Sequence, residues 1–138
     1  MSAGALHFGA TLHRAHSVLQ QRLDECLGEW HGLNLSDYHL LQALEASSGL
    51  ALPALACALL QPAATTLRQV LPMEKTGLLE RRDGRVRLRP AGRQLWGEAR
   101  QTVESVCARA FPVLGGDGNR LAVCQLLEQL AMPVRGVR

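Results

Sequence analysis

From about Leu6 to Trp30 the apolar residues Leu12, Ala15, Val18, Leu19, Leu23, Cys26 and Leu27 recur at helical spacing and leave one apolar face. Gly32 and Asn34 break that pattern. Ser36 is suited to cap a second helix whose core face carries Leu40, Leu41 and Leu44, and Ser47, Ser48 and Gly49 end it. Pro53 suits the first turn of a short third helix through Leu59, because proline lacks only a donor that would be unpaired there. Pro62 does the same for a fourth helix running to about Thr76, with Gly77 as its C-terminal cap. On a helical wheel, Ala63, Leu67, Val70 and Leu71 gather as that helix's core face, and Gln61, Ala64, Thr65, Arg68, Gln69 and Pro72 gather opposite. Pro72 cannot donate to residue 68 and predicts a kink or an early end.

The period then changes. Leu78 to Arg82 and Arg85 to Arg89 are two short alternating runs flanking Asp83-Gly84. An Asp-Gly pair between such runs predicts a two-residue hairpin, because both loop residues must accept positive φ. The expected register sets Arg82 opposite Arg85, Arg81 opposite Val86, Glu80 opposite Arg87 and Leu79 opposite Leu88. One face then carries Leu79, Val86 and Leu88, and the other carries Arg82, Arg85, Arg87 and Arg89 with Glu80 among them. Four arginines on one face repel one another, and Glu80 offsets only part of that.

A long helix is expected from about Ala91 to Phe111, then a turn through Pro112 and Gly115 to Gly118. A last helix from about Asn119 to Ala131 follows, with Leu121, Cys124, Leu127 and Leu130 at helical spacing, and the tail from Met132 is expected to fray. No repeat or linker divides the chain.

Composition supports a mainly helical protein. The 138 residues are 47% hydrophobic and only 4% aromatic, and the apolar share is mostly Leu and Ala, with no Ile. The apolar fraction excludes a disordered chain. The longest nearly uncharged run, Gly49 to Ala64, holds Pro53, Gln61 and Pro62 and falls short of a membrane span. The N-terminus lacks the pattern of a signal peptide, so a cytoplasmic protein is expected.

The formal net charge of +3 hides an uneven distribution. Residues 1–60 carry a net −3, residues 61–93 a net +5 and residues 94–138 a net +1. A local concentration of this kind is an electrostatic footprint for a polyanion, although on charge alone a solvated hairpin is the simpler account.

The order helix, helix, short helix, helix, basic hairpin is that of a winged helix-turn-helix. Here the residues resemble the multiple-antibiotic-resistance regulator (MarR) family. Leu35-Ser36-Asp37-Tyr38-His39-Leu40-Leu41 looks like that family's second-helix start. Leu55-Ala56 and Glu74-Lys75-Thr76-Gly77-Leu78-Leu79-Glu80-Arg81 stand at its helix-turn-helix spacing. Val86-Arg87-Leu88-Arg89-Pro90-Ala91-Gly92 resembles its second wing strand and the entry to the next helix. The wing is several residues shorter than is usual in the family, whose Asp-x-Arg element near the tip is truncated here by the Asp83-Gly84 turn, with Arg85 as an approximate stand-in. The resemblance, over about residues 35–100, implies a bacterial DNA-binding regulator acting as a homodimer, with the N-terminal and last two helices as the interface. It implies one domain, 1–138, in which 35–90 form the winged helix-turn-helix lobe and 1–31 with 91–138 form a helical dimerisation lobe.

On that reading the fourth helix enters the major groove of double-stranded DNA. Ala63 and Ala64 allow close approach, Thr65 meets a phosphate or thymine methyl, Arg68 reads guanine, and Gln69, with Gln61 nearby, reads adenine. Arg82 and Arg85 at the wing tip reach a minor groove, and Arg87 and Arg89 meet phosphates. Trp30, Tyr38 and Trp96 are candidates to line the cleft where the family binds small amphipathic effectors. A repressor of a pseudo-palindromic operator, released by such an effector, is the leading expectation. Pro72 and the short wing motivate the alternative, a dimeric protein-interaction module that has lost DNA binding.

No metal site, cofactor or catalytic set is expected. His13 and His16 are three apart without a matching carboxylate or cysteine. Cys26, Cys57, Cys107 and Cys124 form no C-x-x-C pair and are read as free, buried small hydrophobes.

Overall fold

In a computed structural model, which describes residues 3–112 and 116–131, the chain forms six helices and one hairpin. They are α1 (Ala3–His31), α2 (Leu35–Glu45), α3 (Leu52–Ala58), α4 (Ala63–Lys75), β1 (Leu79–Arg82), β2 (Arg85–Leu88), α5 (Pro90–Ala110) and α6 (Asp117–Ala131). The mainly helical class with a β-hairpin wing is as expected. Of the turn expected through Pro112 and Gly115 to Gly118, Gly115 lies outside the described residues, as does the fraying expected from Met132, whereas Asp117 and Gly118 already belong to α6, which starts two residues earlier than expected. Among the described residues no helix is long and apolar enough to cross a membrane.

Local chemistry sets the boundaries. The α2 cap is Asn34, not Ser36: its side chain accepts from the Asp37 N–H at 2.8 Å, and the Asp37 carboxylate accepts from the Asn34 N–H at 3.3 Å. That reciprocal box satisfies two orphan donors, which a cap at Ser36 would leave behind. α3 and α4 both end in the same motif. The Gln61 N–H reaches the Ala56 carbonyl, as the Leu78 N–H reaches the Met73 carbonyl. Gly77 takes the left-handed position after α4, and Leu60 takes it after α3. α4 does not stop at Pro72 but runs on to Lys75.

The hairpin has the expected register, Leu79↔Leu88 through Arg82↔Arg85, and Asp83 and Gly84 both take positive φ. Sequence reading missed a third partner: Leu50 and Val86 exchange both backbone hydrogen bonds, at 3.0 and 2.7 Å.

The chain divides into two compact units, one through Glu104 and one from Ser105. The first holds the core, in which Leu27, Leu33, Tyr38, Leu40, Leu41, Leu44, Leu55, Val70, Met73, Leu79, Val86, Leu88 and Ala99 pack together. Within it α5 is pinned to α1 by His31 Nε2 and Thr102 Oγ1, 2.7 Å apart, and to α2 by the Arg93–Glu45 ion pair. Only Leu23 and Leu27 of α1 are buried, although its apolar stripe extends back to Leu12. The second unit carries the end of α5 and α6, and no residue of α6 is buried. The cysteines are free, but none is fully buried as expected: Cys57 and Cys124 are exposed, and Cys26 and Cys107 are half-buried.

Candidate nucleic-acid interface

α4 presents a different face from the one the wheel predicts. Its buried residues are Thr66, Val70 and Met73, while Ala63 is exposed and Leu71 is 40% exposed. The helix is turned by roughly one residue, about 100°. The reason is Thr66, fully buried because its hydroxyl is satisfied: it accepts from Gln61 Nε2 at 2.8 Å and donates to the Pro62 carbonyl at 3.3 Å. A threonine with both roles filled packs as a hydrophobe, and Met73 replaces Leu71 in the core.

The outward face carries Ala63 and Ala64, both exposed, at the first turn. Thr65 is half-buried and Arg68 exposed, with an Arg68 Nη2 to Thr65 Oγ1 distance of 3.5 Å. Gln61 and Gln69 lie differently. Gln69 Nε2 donates to Ser36 Oγ at 2.8 Å and reaches Asp37 Oδ1 at 3.4 Å, while its Oε1 accepts from Gln61 Nε2. The Gln69 amide faces the start of α2, and the Gln61 amide faces Gln69 and Thr66.

The wing carries the charge. Arg82 and Arg85 are exposed cross-strand partners beside the turn, and Arg89 is exposed further along. Arg87 is half-buried and lies over Gly49, where an added Cβ would come within 2.8 Å of Arg87 Cγ. Its Nε is buried with no hydrogen-bond partner among the described residues. Among the described residues none of these four arginines is in an ion pair; Glu80 lies opposite Arg87 without pairing. Among the described residues the repulsion on the arginine face is therefore left without an ion pair to offset it.

A fifth wing arginine was not among the candidates. Arg81 Nε and Nη2 grip both Glu74 oxygens at 2.7 and 3.0 Å, tying β1 to the last turn of α4. That hydrogen bonding and charge hold the Glu74 carboxyl below the ordinary carboxylate range and raise the Arg81 guanidinium. Arg81's alternation onto the apolar hairpin face was the available signal, since a charge there needs a partner. An open groove of about 430 Å³ runs beside this pair, lined by Leu52, Glu74, Arg81, Gly84, Arg85 and Val86.

The three aromatics expected to line an effector cleft have different environments. Tyr38 is in the core, and Trp96 packs against that core with Nε1 buried and without a hydrogen-bond partner among the described residues, and with Arg100 5.5 Å from its ring. Trp30 is 71% exposed. None of the three lines either groove described for the first unit, the second being bounded by His39, Gln42, Ala43, Ala46, Ala58, Leu59 and Leu60. Among the described residues no cluster of three or more His, Cys, Asp or Glu could hold a metal ion.

No protein-family model and no curated protein matches the chain. Solved structures do. A MarR family protein of Mycobacterium tuberculosis, Rv2887, in complex with DNA is 25% identical with a TM-score of 0.77, over 90% of this chain and 97% of that one. A MarR family regulator from Rhodococcus sp. RHA1 is 20% identical with a TM-score of 0.86, over 97% and 100%. The transcriptional repressor CouR, bound to p-coumaroyl-CoA, is 23% identical with a TM-score of 0.83, over 97% and 99%. The second of these neighbours is a transcriptional regulator and the third a transcriptional repressor.

Proposed function

We propose that this chain, which has the winged-helix fold of the MarR-family transcription regulators, is itself a DNA-binding regulator and acts as a homodimeric repressor in the cytoplasm. The observation that carries the reading is the unpaired arginine face of the wing beside the exposed first turn of α4. A polyanion is the natural partner for four uncompensated guanidiniums on one ribbon. α4 would enter the major groove through Ala63, Ala64, Thr65 and Arg68, with Arg82 and Arg85 in the flanking minor groove and Arg87 and Arg89 on phosphates. Residues 35–90 form the reading lobe, and 1–31 with 91–138 the dimerisation lobe. A two-fold dimer matches a pseudo-palindrome with half-sites about one helical turn apart. One solved relative in complex with salicylic acid and another bound to the aromatic thioester p-coumaroyl-CoA support an amphipathic aromatic compound as the releasing effector.

A mobility-shift assay on the protein's own promoter region tests this. Wild type retards the duplex at low salt, and Arg82→Ala/Arg85→Ala weakens binding to all duplexes. The slope of log affinity against log salt flattens by about 0.9 for each phosphate that the variant no longer neutralises. Failure of wild type to bind any duplex at low salt overturns the reading and favours a protein-interaction module instead.

A further inference from the structure

The reading face of α4 is thin, and two polar residues beside it are already occupied. Gln69 uses its Nε2 on Ser36 Oγ at 2.8 Å and Asp37 Oδ1 at 3.4 Å, and its Oε1 on Gln61. Gln61 directs its Nε2 to Gln69 and to the buried hydroxyl of Thr66 at 2.8 Å. An amide nitrogen has two protons, and both of Gln69's are directed at α2, so an adenine contact, which needs an N–H as well as the oxygen, would break the chain at its Ser36 or Asp37 end. The chain continues past α4. Asp37 closes the capping box of α2, and the Leu35 N–H at the same helix start donates to Asp24 Oδ1 of α1 at 2.7 Å. Side chains thus link α1, the start of α2 and the first two turns of α4.

We infer that Gln61 and Gln69 are positioning residues: they hold the N-terminal turns of α4 against the start of α2, and base discrimination falls to Arg68 with Thr65. This rests on the DNA-binding reading and names the division of labour within its site. Arg68 is the outward-facing side chain of α4 with a fork able to take a guanine edge, and its guanidinium is exposed. Gln69 is about 100° around the helix from Val70, at the border of the buried stripe, so its side chain reaches α2 rather than the groove.

The test uses the full chain and a duplex selected by wild type from a random-sequence pool, followed by anisotropy titrations against that duplex and its single-base variants. Gln69→Ala and Ser36→Ala each lower affinity about three- to tenfold, the loss of one net hydrogen bond. The loss is the same for every duplex, the ranking of bases does not change, and the salt slope stays at its wild-type value. The two changes are non-additive, so the double variant binds no worse than the weaker single. Gln69→Glu, which sets a carboxylate beside Asp37, binds worse than Gln69→Ala. Arg68→Ala flattens the preference at one base pair. A Gln69→Ala protein whose preference changes at one base pair overturns the inference and restores Gln69 as a reader. Additive losses, or a lowered melting temperature with unaltered affinity, also overturn it. Wild type that selects no duplex overturns the DNA-binding reading itself, which separates the two failures.

Discussion

Leu60 occupies a left-handed backbone position, φ 55°, with its side chain 89% exposed. Gly77 fills the equivalent position after α4 without a Cβ penalty. A left-handed L-residue costs about 1–2 kcal/mol, and glycine returns about 0.5–1 of that as unfolded-state entropy. Leu60→Gly is therefore expected to raise stability by about 0.5–1 kcal/mol, read from urea denaturation midpoints; a lowered midpoint would mean the leucine side chain stabilises the turn. Gly92 predicts the opposite. A Cβ there would lie 2.2 Å from the Leu78 carbonyl oxygen, a backbone atom that also accepts from the Arg89 N–H. Gly92→Ala is expected to destabilise by about 1–3 kcal/mol through overpacking where the wing meets α5. The cysteines differ in the same local way. Burial pushes the Cys107 thiol up, whereas Cys57 is exposed. A disulfide reagent at neutral pH is expected to modify Cys57 well before Cys107, as peptide mapping would read.

At the scale of elements, period-2 alternation and the Asp83-Gly84 turn made the wing legible to its register, because each side chain has only two faces to choose from. The face of α4 was not legible to the same degree. A wheel ranks residues by polarity, and Thr66 counts as polar until Gln61 and the Pro62 carbonyl are known to satisfy its hydroxyl. Those partners come from outside the helix repeat. The Leu50 bridge and the Asp24 contact to α2 are likewise long-range and carry no local signal. Of the candidate DNA residues, the arginines follow the hairpin alternation, whereas the engagement of Gln61 and Gln69 with Ser36 and Asp37 needed the packed helices. The wing's tether to α4 has a pH signature. Glu74 titrates below its ordinary 4.5 because Arg81 hydrogen-bonds the ionised form. Its contribution is therefore full above about 4.5 and disappears as pH falls through the lowered value. The Arg81 Nε–H chemical shift followed from neutral to acid pH should move in that acid window in wild type and lose that movement in Glu74→Gln. The global stability change should be slight, as for an exposed pair.

For the whole molecule, the unfinished surfaces are apolar as well as basic. In α1, Leu6, Phe8 and Val18 are exposed, and in α6 so are Leu121, Leu126, Leu127 and Leu130. Helices with apolar stripes and little or nothing buried gain their stability from packing, not from propensity, so they need a partner surface. A second copy of the chain is the simplest partner to expect, because in a two-fold dimer each such helix could meet the same surface of its copy. The wing's net basicity does not oppose such an association, since the first 60 residues carry a net −3. Light scattering is then expected to give twice the 15.0 kDa chain mass for wild type. Leu126→Glu/Leu130→Glu sets charges into the α6 stripe and should shift the protein to the chain mass at micromolar concentration. If the dimer is what aligns two reading heads, that variant should also lose far more DNA affinity than one head's contacts supply, because binding two half-sites through one body multiplies affinity by an effective concentration. A wild-type mass of 15.0 kDa, or a monomeric variant with undiminished DNA affinity, would break the link between the apolar helices at the ends of the chain and the basic ribbon in its middle.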